Sequence, residues 1–255
     1  MLVCKKKTMS MWEERTQLMF GADKLARLRA AHVLVVGLGG VGAYAAEMLC
    51  RAGVGELTLV DADIVSETNI NRQLVALHTT IGRRKTDVLA ERLRDINPQV
   101  KLHLYAEFLR DERTAALLRA THYDFLVDAI DTLSPKVFLL HEAFVLGIPT
   151  VSSMGSGGKL DPTQVKICDI SKSDYCKLAH MVRKYLHRLG VRKGITVVYS
   201  PEKVAESRIE TVDNEQNKRS NVGTVSYMPA VFGCFLASHV IRAITDELTP
   251  LSNGK

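Results

Sequence analysis

A doubly wound α/β fold with a mostly parallel sheet is predicted by three features of the sequence. Short apolar, β-branched runs alternate with helical periods as far as residue 152, a glycine loop joins the first run to the first helix, and two of the runs end in aspartate. The alternation matters because each parallel strand must be reached through a crossover, most often a helix. Beyond residue 152 the rhythm changes, and Gln164–Ile170 alternates as an antiparallel strand with one wet face, so the C-terminal part is read as an antiparallel extension.

The first strand, His32–Val36, passes directly into Gly37-Leu38-Gly39-Gly40-Val41-Gly42 and an Ala-rich helix ending near Arg51. Gly37 permits the tight turn, Gly39 removes a Cβ that would block a phosphate, and Gly42 lets helix pack on strand, which makes the unit Rossmann-like. The second strand, Glu56–Val60, ends at Asp61, where a carboxylate can accept from ribose hydroxyls. The residues after Asp61 depart from a dinucleotide site: Asp63, the run Asn69-Ile70-Asn71-Arg72-Gln73, then Arg83-Arg84-Lys85 opening the next helix. Arg72 and Lys85 are the cations a triphosphate calls for, together with a divalent metal. Lys85 in a first helical turn opposes the helix dipole unless an anion lies nearby.

That helix closes at Asn97-Pro98, a third strand covers Val100–Tyr105, and a helix comes next over Asp111–Ala120. The fourth strand, Tyr123–Asp128, ends in acid, with Asp131 in the loop after it at the edge where open parallel sheets bind ligands. Asp131 is the candidate Mg2+ ligand; the competing reading makes it an N-cap for a helix at Ser134-Pro135. The next strand is Ile148–Ser152, succeeded by a flexible loop at Gly155-Ser156-Gly157-Gly158.

Length and composition fit one domain, residues 1–255, with a nucleotide-binding core over 12–152 and an acceptor-side and interface extension over 153–248. The net charge of +6 permits a polyanionic partner without requiring one. Five scattered cysteines form no CxxC pair, which argues against structural zinc and a disulfide framework and for a reducing, cytoplasmic setting. Cys234 in an apolar run is expected to be inert. Near the N-terminus Lys5-Lys6-Lys7 precedes no continuous apolar stretch, unlike a signal peptide. Residues 220–241 carry no charge and are long enough for a membrane span, but their polar residues favour a buried helix over Pro229–Thr245 at a subunit interface.

From Ser173 to Gly190 an apolar stripe that includes Tyr185 faces Lys177, Lys184 and Arg188, with Arg192-Lys193 just beyond. The basic face is either a solvated surface or a contact for RNA phosphates; Tyr185 is assigned to the core. Glu202–Asn221 shows no clean period and reads as a mobile crossover loop, a candidate lid.

Taken together, Gly37-x-Gly39-Gly40-x-Gly42, Asp61-x-Asp63, Asn69-x-Asn71-Arg72-Gln73, Lys85 and Asp128-x-x-Asp131 resemble the ThiF/MoeB superfamily, bacterial relatives of ubiquitin-activating enzymes, over residues 12 to 170. Pro135-Lys136 and the stretch Gly155–Gln164 resemble the branch that dehydrates threonylcarbamoyladenosine in tRNA. The resemblance implies carboxylate adenylation with ATP and Mg2+, on tRNA carrying threonylcarbamoyladenosine, in a homodimer where Arg15 reaches the neighbouring subunit's nucleotide. Arg72, Lys85 and Arg15 would hold the β and γ phosphates, Asp61 the ribose, Asn69 a phosphate oxygen and Asp131 the metal. Asp63 and Asp128 complete the nucleotide-side set, Asp63 by bracing the loop. Lys177, Lys184, Arg188, Arg192 and Lys193 would meet the tRNA backbone. No particular sulfur or redox partner protein is implied. The rival readings are an enzyme activating a small carrier protein, an NAD-dependent oxidoreductase resting on the glycine loop and Asp61 alone, and a non-catalytic tRNA-binding module.

Overall fold

Seven strands form the main sheet, in the order β3-β2-β1-β4-β5-β7-β6, in a computed structural model that describes residues 11–211 and 220–248. The strands are β1 (His32–Val36), β2 (Glu56–Val60), β3 (Lys101–Tyr105), β4 (Phe125–Asp128), β5 (Thr150–Ser153), β6 (Lys166–Asp169) and β7 (Thr196–Tyr199). All neighbours are parallel except β6, which runs antiparallel to β7 at the edge. The predicted antiparallel extension is therefore present, with one addition. β7, a parallel strand that the sequence pattern did not single out, inserts between β5 and β6.

Strand order reverses between β1 and β4, and the glycine loop after β1 and the Asp131 loop after β4 both leave the carboxyl edge at that point. Such a switch point opens a crevice because successive crossovers depart to opposite faces. One face of the sheet, carrying Val33, Val35, Leu57, Leu59 and Val127, packs against α3 (Gly42–Arg51), α4 (Lys85–Ile96) and α8 (Tyr227–Ile244). The alternate residues Leu34, Val36 and Leu126 meet α5 (Asp111–Arg119) and α6 (Leu133–Val145) on the other. The period-two alternation of strand side chains divides these apolar runs between two cores.

α8 is long and apolar enough to cross a membrane. Its Met228, Phe232, Leu236, Ala237 and Val240 are nevertheless fully buried in the core, and a Cβ on Gly233 would stand 2.5 Å from the Val41 carbonyl oxygen. The close crossing with α3 explains its apolar composition without lipid. Near the N-terminus, α1 (Glu14–Phe20) and α2 (Ala22–Ala30) pack on each other, and α2 also touches α8.

Several expectations need correction. The Gly155–Gly158 loop is pinned, not flexible: Arg208 Nη1 donates to the Gly158 carbonyl at 2.7 Å, and Lys159 Nζ donates to the carbonyls of Ser200, at 3.0 Å, and Glu202. Three glycines in four residues read as flexibility only while the partners that hold them, more than forty positions away in the chain, are unknown. The stretch from Glu202 is not a structureless crossover, since β8 (Ile209–Thr211) and β9 (Ser220–Val222) pair antiparallel. The lid reading for residues 212–219 lies outside the described residues. The basic helix, α7, spans Lys177–Arg188 and begins later than Ser173, because Tyr175 takes a left-handed φ of 47°. Tyr185 is at the surface and not in the core: the Arg188 guanidinium lies 5.2 Å from its ring centroid, while Val182 and Leu186 form the buried stripe.

Candidate active site

The glycine loop is shaped by close backbone approach. Gly37 has φ 89°, and a Cβ there would lie 2.8 Å from the Ala129 carbonyl oxygen, so the loops after β1 and β4 lie in contact. A Cβ on Gly42 would stand 1.8 Å from the Gly37 carbonyl oxygen, which excludes every other residue at the first position of α3. Gly40 meets the Arg72 carbonyl and Pro229 at the start of α8. Gly39 differs from these three: the sole neighbour of a Cβ there would be Gln73 Nε2, at an ordinary 3.7 Å. Packing in this chain does not require glycine at 39, whereas a ligand lying against the loop would.

Beside the loop, β2 delivers an acidic pair and α4 a lysine. Asp61 Oδ2 accepts from the Leu38 amide at 2.6 Å and Oδ1 from the Asp63 amide at 2.8 Å. Lys85 Nζ lies 2.6 Å from Asp63 Oδ2 and 3.9 Å from Asp61 Oδ1. Burial pushes the Asp61 carboxyl above the usual aspartate range, against the pull of Lys85 and of the two amides. The anion that offsets Lys85 at its helix N-terminus is thus the protein's own Asp63, so the dipole cue does not by itself call for a phosphate.

The Asn-rich turn lies against the glycine loop, where Gly40 approaches the Arg72 carbonyl. Asn69 Oδ1 accepts from the Ser66 amide at 3.2 Å, and Asn71 Nδ2 donates to the Thr224 carbonyl at 2.9 Å, tying the turn to the segment that enters α8. Arg72 Nη1 is held by the Thr68 carbonyl at 2.9 Å and by Asn71 Oδ1 at 2.8 Å, which orients the guanidinium fork without using its other nitrogens. Gln73 Oε1 is buried and, among the described residues, has no hydrogen-bond partner. The Gln73 atom that faces open Gly39 is the amide nitrogen, a donor, at 3.7 Å.

Asp128 requires a correction. It is fully buried, with Oδ2 bound by Lys136 Nζ at 2.7 Å and Ser152 Oγ at 2.6 Å, and Oδ1 by the Ile130 amide at 3.0 Å. Its carboxylate is closed off behind the site and braces the 129–132 loop instead of touching a nucleotide. Asp131 in that loop is exposed; Thr132 occupies the N-cap position of α6 and makes no side-chain cap, so Asp131 does not have that role. Lys136 and Ser152 carry structural weight that sequence reasoning missed. The available signal was a lysine beside the apolar run Val137–Leu140, opposite a strand ending in acid.

The remaining candidates lie apart from this cluster. Arg15 is exposed on α1, and no described hydrogen bond or ion pair ties it to the glycine loop. Lys177, Lys184, Arg188, Arg192 and Lys193 are all exposed, and none forms an ion pair among the described residues. Lys177, Lys184 and Arg188 share one helix face, at i, i+7 and i+11. Cys234 is exposed on α8, and partial burial still pushes its thiol upward, away from thiolate character.

A model of the ThiF family matches residues 14–254. The chain belongs to the ThiF family. Among relatives, the tRNA threonylcarbamoyladenosine dehydratase of Bacillus subtilis is 36% identical over 241 residues, covering 92% of this chain and 94% of that protein. Among solved structures, the Escherichia coli tRNA N6-threonylcarbamoyladenosine dehydratase in complex with ATP superposes with a TM-score of 0.84 at 33% identity, covering 94% of this chain and 97% of that one. An adenylyltransferase and sulfurtransferase from Aspergillus niger is 38% identical, but over only 52% of this chain and 27% of its own length. The similarity to the dehydratase thus covers nearly all of both chains, whereas that to the adenylyltransferase covers about half of this one.

Proposed function

We propose that this ThiF-family protein is an ATP-dependent dehydratase of threonylcarbamoyladenosine in tRNA. The observation that carries the reading is that its similarity to dehydratases of that name covers both the nucleotide-binding half and the C-terminal half, while the adenylyltransferase matches only about half of the chain. The open Gly39 cradle, with the Gln73 amide nitrogen beside it, fits a nucleotide lying on the loop.

In this reading the carboxylate of the threonylcarbamoyl group attacks the α-phosphorus of ATP, an acyl–O–P bond forms, and pyrophosphate leaves. The neighbouring urea group then attacks the activated acyl carbon, AMP departs, and loss of a proton completes a five-membered ring. Holding both groups on one substrate makes ring closure effectively unimolecular, which is worth several kcal/mol. No protein nucleophile is needed, consistent with the raised thiols of Cys50 and Cys234.

The protein's part is to bind and to neutralise charge. Arg72 and Lys85 stabilise the charge on departing pyrophosphate. Lys85 does so by exchanging exposed Asp63 for a phosphate oxygen, and Asp61 retains acceptor capacity for ribose hydroxyls. Asn69 has its amide NH2 available for a phosphate oxygen. Mg2+ would be held by Asp131, a hard carboxylate ligand suited to an ion that keeps most of its waters, and would screen the phosphate charge. We assign residues 153–248 to the acceptor side, with the basic face of α7 meeting the tRNA backbone. Arg15 completes the site of a second subunit in a homodimer. The four described cysteines are unpaired, in keeping with a cytoplasmic location.

The test is to incubate the protein with ATP, Mg2+ and either threonylcarbamoylated or unmodified tRNA, following AMP and nucleoside mass. AMP formed only with modified tRNA, with the nucleoside lighter by one water, is the expected result. ATP binding without that product, and AMP formation on a small protein ending in Gly-Gly, would instead assign carrier-protein activation.

A further inference from the structure

At the amino-terminal edge of the sheet, away from the glycine loop, His32, Glu56 and His103 converge. His32 opens β1, Glu56 is its register partner at the start of β2, and His103 lies on β3 opposite Thr58. His103 Nε2 is 2.8 Å from Glu56 Oε1, His32 Nδ1 is 3.6 Å from the same oxygen, and one ligand atom from each residue lies within 4.8 Å of the other two. Ligand atoms in a tetrahedral zinc site, with bonds of about 2.0–2.1 Å, stand roughly 3.3 Å apart, so modest side-chain rotation would bring the three to bonding distance.

We propose that His32, Glu56 and His103 form a binding site for Zn2+ that clamps the starts of β1 and β2 to the middle of β3. The donor set is two imidazoles and one carboxylate, with a fourth position open to water, which suits a borderline metal such as Zn2+. Thr58 Oγ1 lies 2.8 Å from His32 Nε2. With the proton on Nε2 donated to that hydroxyl, the ring is oriented and the Nδ1 lone pair faces Glu56, the arrangement an outer-shell partner provides. His103 is half exposed and gives a path of entry.

The surrounding groups are compatible with occupancy. Lys101 Nζ is 3.5 Å from Glu56 Oε2, the oxygen a metal on Oε1 leaves free, and its side chain is well exposed and can move away. Asp124 is engaged by the His32 backbone amide at 2.7 Å and by His122 at 3.4 Å. From His32 to the glycine loop is the length of β1, about 13 Å at ~3.3 Å per residue, so the site is separate from nucleotide chemistry. The missing CxxC pairs argue against a thiolate zinc centre; this one uses no cysteine.

The deciding experiment is calorimetric titration of the EDTA-stripped full chain with zinc sulfate, alongside thermal melts. One equivalent of Zn2+ should bind and raise Tm. His103→Gln and Glu56→Gln should each weaken binding by at least about 10-fold, and Thr58→Val, which keeps all three ligands, by about 10- to 100-fold. H103Q should retain ATP binding and its metal-free Tm, which separates loss of a ligand from misfolding. Absence of Zn2+ binding by the wild type would overturn the proposal, as would undiminished affinity in H103Q, which would place the metal elsewhere.

Discussion

Removing the Lys136 ammonium tests whether the Asp128 brace organises the site. Lys136 Nζ contacts Asp128 Oδ2 at 2.7 Å and the Ile130 carbonyl at 2.8 Å, and both charged side chains are fully buried. Lys136→Met preserves length and apolar contact but leaves a buried carboxylate without its cation. The bonds from Ser152 Oγ and the Ile130 amide are already present in the native protein and offset none of the loss. Breaking a buried pair by removing one partner costs about 3–5 kcal/mol, a large fraction of the ~5–15 kcal/mol that stabilises a typical domain. At about 2–4 °C per kcal/mol for a chain of this size, Tm should fall by roughly 6–20 °C. Adding Asp128→Asn removes the stranded charge and should recover at least about half of the loss, a coupling that urea denaturation of both single variants and the double variant measures. ATP affinity should fall as well, because Ala129 and Asp131 belong to the braced loop. A K136M variant within about 1 kcal/mol of wild type, or a double variant whose loss equals the sum of the singles, would refute the reasoning.

The glycine loop separates stability from binding: Gly39→Ala should leave Tm nearly unchanged, since its Cβ meets only Gln73 at 3.7 Å, yet weaken ATP by about 10-fold or more. Isothermal titration and a melt on the same sample check both halves of that statement. Gly42→Ala should lose both, because its Cβ falls 1.8 Å from the Gly37 carbonyl oxygen, and soluble, nucleotide-competent protein would contradict the packing argument. On α7, Lys184→Glu with Arg188→Glu should slow turnover of modified tRNA while ATP affinity holds. The salt dependence of tRNA binding should become shallower, its slope falling by about one for each phosphate no longer neutralised. Glu47 offers a test by pH. Burial acts to raise its pKa, but hydrogen bonds from Arg92 and Arg51 outweigh it and hold the carboxyl below its ordinary 4.5. Because the folded value is depressed, its contribution is fully present above the unfolded value and lost as pH falls through the folded one. The Tm deficit of Glu47→Gln should therefore be constant near neutrality and shrink below about pH 4.5; a deficit that grows on acidification has the wrong sign.

Local chemistry in the sequence determined a large part of this protein. Short continuous apolar runs, helical periods between them and glycines at fixed spacing specify the parallel core through β5, because each depends on residues adjacent in the chain. The positions of Gly37, Gly39, Gly42, Asp61 and Lys85 were legible for the same reason: strand, turn and helix come in immediate succession. Tertiary structure alone decided what distant residues do to one another. Asp128 reads as a site acid until Lys136 and Ser152 close around it, and the 155–158 glycines read as loose until Lys159 and Arg208 fix them. Tyr185 fits an apolar helical stripe, yet the packing of α7 leaves its ring at the surface beneath Arg188. The meeting of His32, Glu56 and His103 likewise depends on the register of three strands, which brings together residues far apart along the chain and which no local period encodes.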